Sequence, residues 1–275
     1  MDYKSDDYQD YINFIYNRKP KIEESELYYK ADMHIHSDAS YDSKMSLEEI
    51  VKEATAMKLK YIGIADHVDF GNEAVKDVIE RIKRRNEAID ILQENTSTII
   101  LKGMEVGEPH LYPNETEYLN RIADTDYIIG SIHNLKRQTL RRKSSEKDVL
   151  NKYFSEVLNM IKYADIDIVG HIDYIKRYHE LDEFDKNILE QILRCISCSN
   201  KTLEINTSGI RRCSSPFPNE NILEEYIRLG GKRVTYGSDA HEKCELFASI
   251  KELSKSQKQL KISSGVIINH KFKSI

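Results

Sequence analysis

Seven short β-rich runs alternate with helical patterns along the 275-residue chain, and this alternation restricts the fold more than any other feature. The runs are KADMHIH, KYIGIADH, STIILKGMEVG, DYIIGSIH, DIDIVGH, KTLEINTSG and KRVTYGSDAH. Nearly every one leads into a helix-like stretch. In SLEEIVKEATAMKL, Leu47, Ile50, Val51 and Ala54 recur at helical spacing. Ser46 with Glu49 three residues on reads as a capping box at its start. Further helical patterns are read over 73–95, 115–123, 145–164, 183–199, 219–230 and 242–258. Repeated β–α alternation implies a parallel sheet, and this many units imply a barrel or a doubly wound sheet. No internal repeat or low-complexity linker interrupts the series, so one domain is expected over 31–275. Residues 1–30, acidic and tyrosine-rich, read as an N-terminal extension.

Composition narrows the class. Hydrophobic residues at 40% and charged residues at 32% suit a soluble globular protein. The net charge of −5 gives no reason to expect a nucleic-acid surface. No apolar run approaches the roughly 20 residues that span a bilayer, and the N-terminus lacks a signal peptide's basic start and apolar core. A cytoplasmic protein is expected, with no membrane partner. Cys195 and Cys198 form a CxxC inside a helical pattern, while Cys213 and Cys244 follow at irregular spacing, so all four are read as reduced thiols rather than a zinc site. The one basic cluster, KRQTLRRKSSEK at 136–147, reads as a solvated loop that could attract an anionic substrate.

The histidines carry the chemistry. On an extended strand His34 and His36 point to the same side while Ile35 turns into packing. His67 ends YIGIADH, His133 ends DYIIGSIH, His171 ends DIDIVGH, and Asp239 and His241 end RVTYGSDAH; Glu105 lies near the end of STIILKGMEVG. In parallel α/β folds the carboxyl ends of the strands converge on one face, where active sites are built. Six of the nine histidines and two carboxylates therefore map to one rim. One ion takes about four ligands, so this many imply two or three ions sharing a carboxylate. Imidazole with carboxylate suits zinc, iron or manganese, and such clusters activate water and clamp phosphate oxygens. A metal-assisted hydrolase follows, with phosphoester hydrolysis as the first reading.

The pieces MHIHSDAS, IADH, GMEVGEPH, GSIHN, VGHIDYIKRY, EINTSGIRR and YGSDAH resemble, in order, the polymerase-and-histidinol-phosphatase (PHP) superfamily across residues 31–245. The resemblance implies a distorted, TIM-like barrel of seven βα units. VGHIDYIKRY and EINTSGIRR are most similar to its histidinol-phosphatase branch, which converts L-histidinol phosphate to L-histidinol and phosphate in histidine biosynthesis. It also implies a trinuclear site. His34, His36, Glu105 and Asp239 would hold one ion, with Glu105 bridging to a second held by His133 and His171. His67 and His241 would hold the third. Some members add a histidine six residues after the HxH; Asp42 stands there instead, and an aspartate is a competent ligand. Glu105, Asp239 and His133 are the residues implicated in catalysis, with Asp239 or a water protonating the leaving alkoxide. Arg177, Arg211 and His110 are the expected substrate contacts, with Arg212 competing for the role of Arg211. Asp66 reads as a supporting residue.

Two other classes share some of these features. Amidohydrolase barrels also begin with HxH, but the ADH at 65–67 and the pair Asp239 and His241 favour the phosphoesterase. Within the superfamily, a nucleotide or phosphotyrosine substrate is the alternative. A scaffold without catalysis conflicts with the full ligand set, because buried polar groups without partners are costly.

Overall fold

Strands β1 (Ala31–Ile35), β2 (Tyr61–Ile64), β3 (His67–Val68), β4 (Ile99–Gly107) and β5 (Tyr127–Ser131) open the chain's parallel sheet. A small antiparallel pair, β6 (Asn134–Leu135) and β7 (Gln138–Thr139), stands apart from it. Strands β8 (Ile168–Val169), β9 (Thr202–Asn206) and β10 (Arg233–Gly237) complete the seven runs read from the sequence, and β11 (Ser263–Ile268) with β12 (Lys271–Ser274) follows. The computed structural model describes residues 30–135, 138–139, 146–181 and 184–275. The N-terminal extension, apart from Lys30, and most of the basic segment 136–147 lie outside the described residues.

The order β1-β2-β4-β5-β8-β9-β10 is parallel throughout. Its two ends meet at the rim. Asp239 N donates to His34 O at 2.8 Å and His36 N to Ala240 O at 3.0 Å, so the chain just past β10 returns to β1. At the opposite end of β10, Arg233 and Val234 pair instead with β11. The result is a distorted α/β barrel of seven units, as the family resemblance implied.

The helices follow the patterns closely. They are α1 (Leu47–Ala56), α2 (Val75–Gln93), α3 (Pro113–Ala123), α4 (Glu146–Tyr163), α5 (Lys186–Cys198), α6 (Ser208–Cys213), α7 (Glu220–Arg228) and α8 (Ile250–Ser256). Ser46 caps α1 through both bonds of the capping box, and Leu47, Ile50, Val51 and Ala54 are its buried stripe. Two expectations need correction. The helix read over 242–258 is broken, because Phe247 (φ 62°) and Ser249 (φ 59°) take left-handed conformations that no helix can continue through. The C-terminal hairpin β11–β12 was not anticipated. Its two-residue turn, Asn269 and His270, has positive φ at both positions, the geometry that matches strand twist.

Inward and outward positions separate cleanly. Ala31, Met33, Tyr61, Leu101, Tyr127, Ile129 and Ile168 fill the barrel interior. Ile62, Ile64, Met104, Val106 and Ile128 face the helices and meet Ile50, Val78, Ile82, Leu119 and Phe154. Tyr127 spans the interior and donates to Met33 O at 2.7 Å. Gly63 and Gly103 must lack side chains there, since a Cβ at either would collide with the Tyr127 ring. The register of β1 slips between Asp32 and Ile35. Ala31 and Met33 pack inside while Ile35 packs in the outer layer, so the slip exchanges the faces of the strand. Simple alternation does not provide for this; a β-bulge at a barrel rim does. Higher in the interior the inward positions change from apolar to ionisable.

Candidate metal centre

The six histidines of the rim arrive by five strands. His34 lies in β1 and His36 just beyond it; His67 opens β3, and Glu105 lies in β4 directly opposite it in register. His133 and His171 follow β5 and β8 by two residues, and Asp239 and His241 follow β10. Asp239 takes a left-handed conformation (φ 54°), which aspartate tolerates better than most residues.

Glu105 is the hub. Its Oε1 lies 2.8 Å from His171 Nε2 and 3.2 Å from His133 Nε2. Its Oε2 lies 2.8 Å from His67 Nδ1, 3.5 Å from His34 Nε2 and 3.7 Å from His36 Nε2. Asp239 Oδ1 stands 3.3 Å from His36 Nε2, 3.9 Å from His34 Nε2 and 3.7 Å from His241 Nδ1. Asp42 Oδ2 faces His67 Nε2 at 3.4 Å and His241 Nε2 at 3.3 Å. All nine ligands expected from the sequence thus gather in one cluster. His67 differs from its expected place at a third ion alone, since its two nitrogens face Glu105 and Asp42.

The donor set fits metal ions. Among the described residues, His34 Nε2, His36 Nε2, His67 Nδ1 and Glu105 Oε2 are buried with no hydrogen-bond partner, although they crowd one another. Buried polar atoms left so are costly, and a shared cation satisfies them together. Ligand atoms from His34, His36 and Glu105, from His36, His67 and His241, and from His67, Glu105 and His133 lie within 4.8 Å of one another in each group. The ring orientations also suit this. His36 Nδ1 lies 3.1 Å from Ser40 Oγ, whose hydroxyl donates to Asp66 at 2.9 Å, so the hydroxyl oxygen accepts from the ring and Nε2 keeps its lone pair for the cluster.

Electrostatics point the same way. Burial opposes the charge on Glu105, yet His133, His34 and His67 hold its carboxyl well below the ordinary value. Burial likewise opposes the charge on Asp239, and His34, His36 and His241 overcome it. Burial, with His67 adjacent, pushes His36 down to about 3, leaving a neutral imidazole. Ionised carboxylates and neutral imidazoles are the forms that bind metals. His34, His67, His133 and His241, raised above the ordinary value by the carboxylates around them, must shed protons to take that form.

The expected substrate contacts fall differently. Arg211, in α6, donates through Nη2 to Ser238 O at 3.1 Å beside Asp239 and faces Glu245 Oε1 through Nε at 3.3 Å, while its Nη1 is buried without a hydrogen-bond partner among the described residues. Arg177 stacks on Tyr174 at 4.8 Å, whose ring lies 4.9 Å from His171. His110 turns Nε2 to Glu156 at 2.8 Å, so any contact with a substrate would have to come from Nδ1. Asp66, at the base of the cluster, pairs with Arg85 at 3.1 Å. Sequence reasoning passed over Glu204, Asn206 and Ser208, which touch the cluster from β9 and α6; their signal was polar residues at a strand's end in EINTSG.

A parallel α/β barrel whose strand ends converge histidines and carboxylates on one buried cluster defines a metal-dependent hydrolase. The chain belongs to the PHP domain family, whose sequence profile matches residues 32–208. It is 31% identical over 235 residues to a probable histidinol-phosphatase of Thermotoga maritima, covering 83% of this chain and 91% of that one. A probable histidinol-phosphatase of Clostridium acetobutylicum is 29% identical over 243 residues, covering 82% of this chain and 91% of the relative. The crystal structure of the histidinol phosphate phosphatase of Lactococcus lactis, complexed with zinc, L-histidinol and phosphate, shares the fold with a TM-score of 0.72. It is 22% identical and covers 89% of this chain and 99% of that one.

Proposed function

We propose that this protein is a cytoplasmic, metal-dependent phosphomonoesterase that hydrolyses L-histidinol phosphate to L-histidinol and phosphate in histidine biosynthesis. Arg211 is the observation that carries a phosphate ester as substrate. Its guanidinium is anchored beside Asp239 and pairs through Nε with Glu245 Oε1 at 3.3 Å, yet Nη1 is buried with no hydrogen-bond partner among the described residues. A planar, permanently charged fork in that state matches a phosphate. The names of the similar proteins support histidinol phosphate among the possible esters.

His34, His36, Asp42, His67, Glu105, His133, His171, Asp239 and His241 would hold two to three ions of zinc, iron or manganese, with Glu105 shared. Bound there, such ions supply Lewis acidity and acidify water. The protein's own residues do the rest. Arg211 and Arg177 orient the phosphoryl group, and His133 and Glu105 fix the floor of the site. Asp239, kept ionised, takes the proton of the water that attacks phosphorus and gives it to the departing alkoxide, so that the P–O bond breaks to a neutral alcohol.

Phosphate release from a panel of phosphomonoesters, with metal analysis of the same sample, tests this reading. Histidinol phosphate should show the highest kcat/KM. Preference for a nucleotide or phosphotyrosine ester would replace the substrate, and no release by metal-loaded protein would remove the activity.

A further inference from the structure

The segment EINTSG, running from β9 into α6, carries four buried polar side chains outside the ligand set, Glu204, Asn206, Thr207 and Ser208. Glu204 is 1% exposed and reaches two ligands from beneath. Its Oε1 lies 2.6 Å from His34 Nδ1, the ring nitrogen opposite the one facing Glu105 and Asp239. Its Oε2 accepts from His171 N at 2.9 Å and from Asn206 Nδ2 at 3.2 Å. Asn206 Nδ2 also lies 3.4 Å from Asp239 Oδ2, to which Ser208 Oγ donates at 3.0 Å. One oxygen of Asp239 is thereby occupied, and Oδ1 is left toward the histidines. Room for the carboxylate comes from Gly237, where a Cβ would lie 2.6 Å from Glu204 Oε1 and 2.5 Å from His34 Cβ.

Resting on the reading of the rim as a metal centre, we propose that Glu204 is a positioning residue of that centre. Its carboxylate holds the proton on His34 Nδ1, so that Nε2 presents a lone pair to the ion, and it fixes the backbone of His171 in the same act. Only a carboxylate can do both. It accepts on each oxygen, whereas a glutamine has one acceptor and must face either His34 Nδ1 or His171 N with an NH2 group. If that group faces His34, the ring must move its proton to Nε2 and cannot ligate. Outer partners of this kind tune metal affinity about 10–100-fold.

The test uses the full chain and zinc alone, without substrate. Chelator competition should show zinc binding to Glu204→Gln weakened about 10–100-fold for at least one ion relative to wild type. A merely structural role would instead lower the melting temperature of the metal-free protein and leave zinc affinity unchanged, and that result overturns the proposal. Long-range ¹H–¹⁵N spectra of zinc-loaded wild-type protein give a second reading independent of the variant's folding. His34 should carry its proton on Nδ1; a proton absent from that nitrogen also overturns it. If wild-type protein binds no zinc, the metal reading itself fails, which is distinct from wild type and variant binding zinc equally.

Discussion

A charge removed at position 105 is felt by five histidines at once. Glu105 lies within 3.7 Å of His34, His36, His67, His133 and His171, on two different oxygens. His67 faces two carboxylates, Glu105 through Nδ1 and Asp42 through Nε2. Glu105→Gln should therefore lose more metal and more kcat than His67→Ala, and more than the about 10–100-fold typical of an outer partner. Equal metal content and activity in the two folded variants would remove the sharing role. Arg211→Ala should keep metals and fold, and lose about 2 kcal/mol of transition-state stabilisation, about 30-fold in kcat/KM toward histidinol phosphate. A near-normal value would sink its assignment. At this scale the cluster histidines were legible because a histidine at the end of a β-run has few reasons to recur. Glu204 was not, because a carboxylate within a strand gives no sign in sequence of whether it meets a ring, a lysine or solvent.

The elements matter for how they hold the rim. Arg85, from α2, reaches the barrel wall, where it pairs with Asp66 and donates to Gly103 O at 2.7 Å. Asp66 in turn accepts from Ser37 N at 2.7 Å and from Ser40 Oγ at 2.9 Å, and Ser40 holds His36. One helix therefore orients His36 from three side chains away. Arg85→Ala leaves Asp66 buried and without its counter-charge, so denaturant unfolding should show a loss of about 3–5 kcal/mol. A loss under about 1 kcal/mol, the scale of a surface pair, would mean that the pair carries no such load. The βα units were readable because inward and outward residues alternate strictly in β2, β4 and β5. The bulge in β1 and the hairpin β11–β12 were not. A bulge moves no residue type in the sequence, and an Asn-His turn is a weaker signal than Asn-Gly.

At the scale of the whole molecule, the cluster ties β1, β3, β4 and the segments after β5, β8 and β10 to one point, so metal binding and folding are linked. An ion bound by the native state alone adds about 2.7 kcal/mol at a hundredfold excess over its Kd. In a chain of this size that raises Tm by about 5–10 °C. The pH dependence then separates the two forms. In the metal-free protein burial opposes the charge on His34, His67, His133 and His241, but the carboxylates of Glu204, Glu105 and Asp42 raise all four above the ordinary histidine value. A raised histidine contributes stability that is full below its unfolded pKa and is lost as pH climbs through the folded one. The metal-free protein should thus lose this contribution as pH climbs above about 6.5, the ordinary histidine value, while Glu105 and Asp239, held low, stay ionised throughout. Metal binding runs the other way, because ligands must shed their protons to bind. The gap in Tm between zinc-loaded and chelator-stripped protein should widen as pH rises over that range. Differential scanning calorimetry of both forms across it measures the gap directly, and a gap that narrows toward alkaline pH would show that the histidines do not exchange protons for metal.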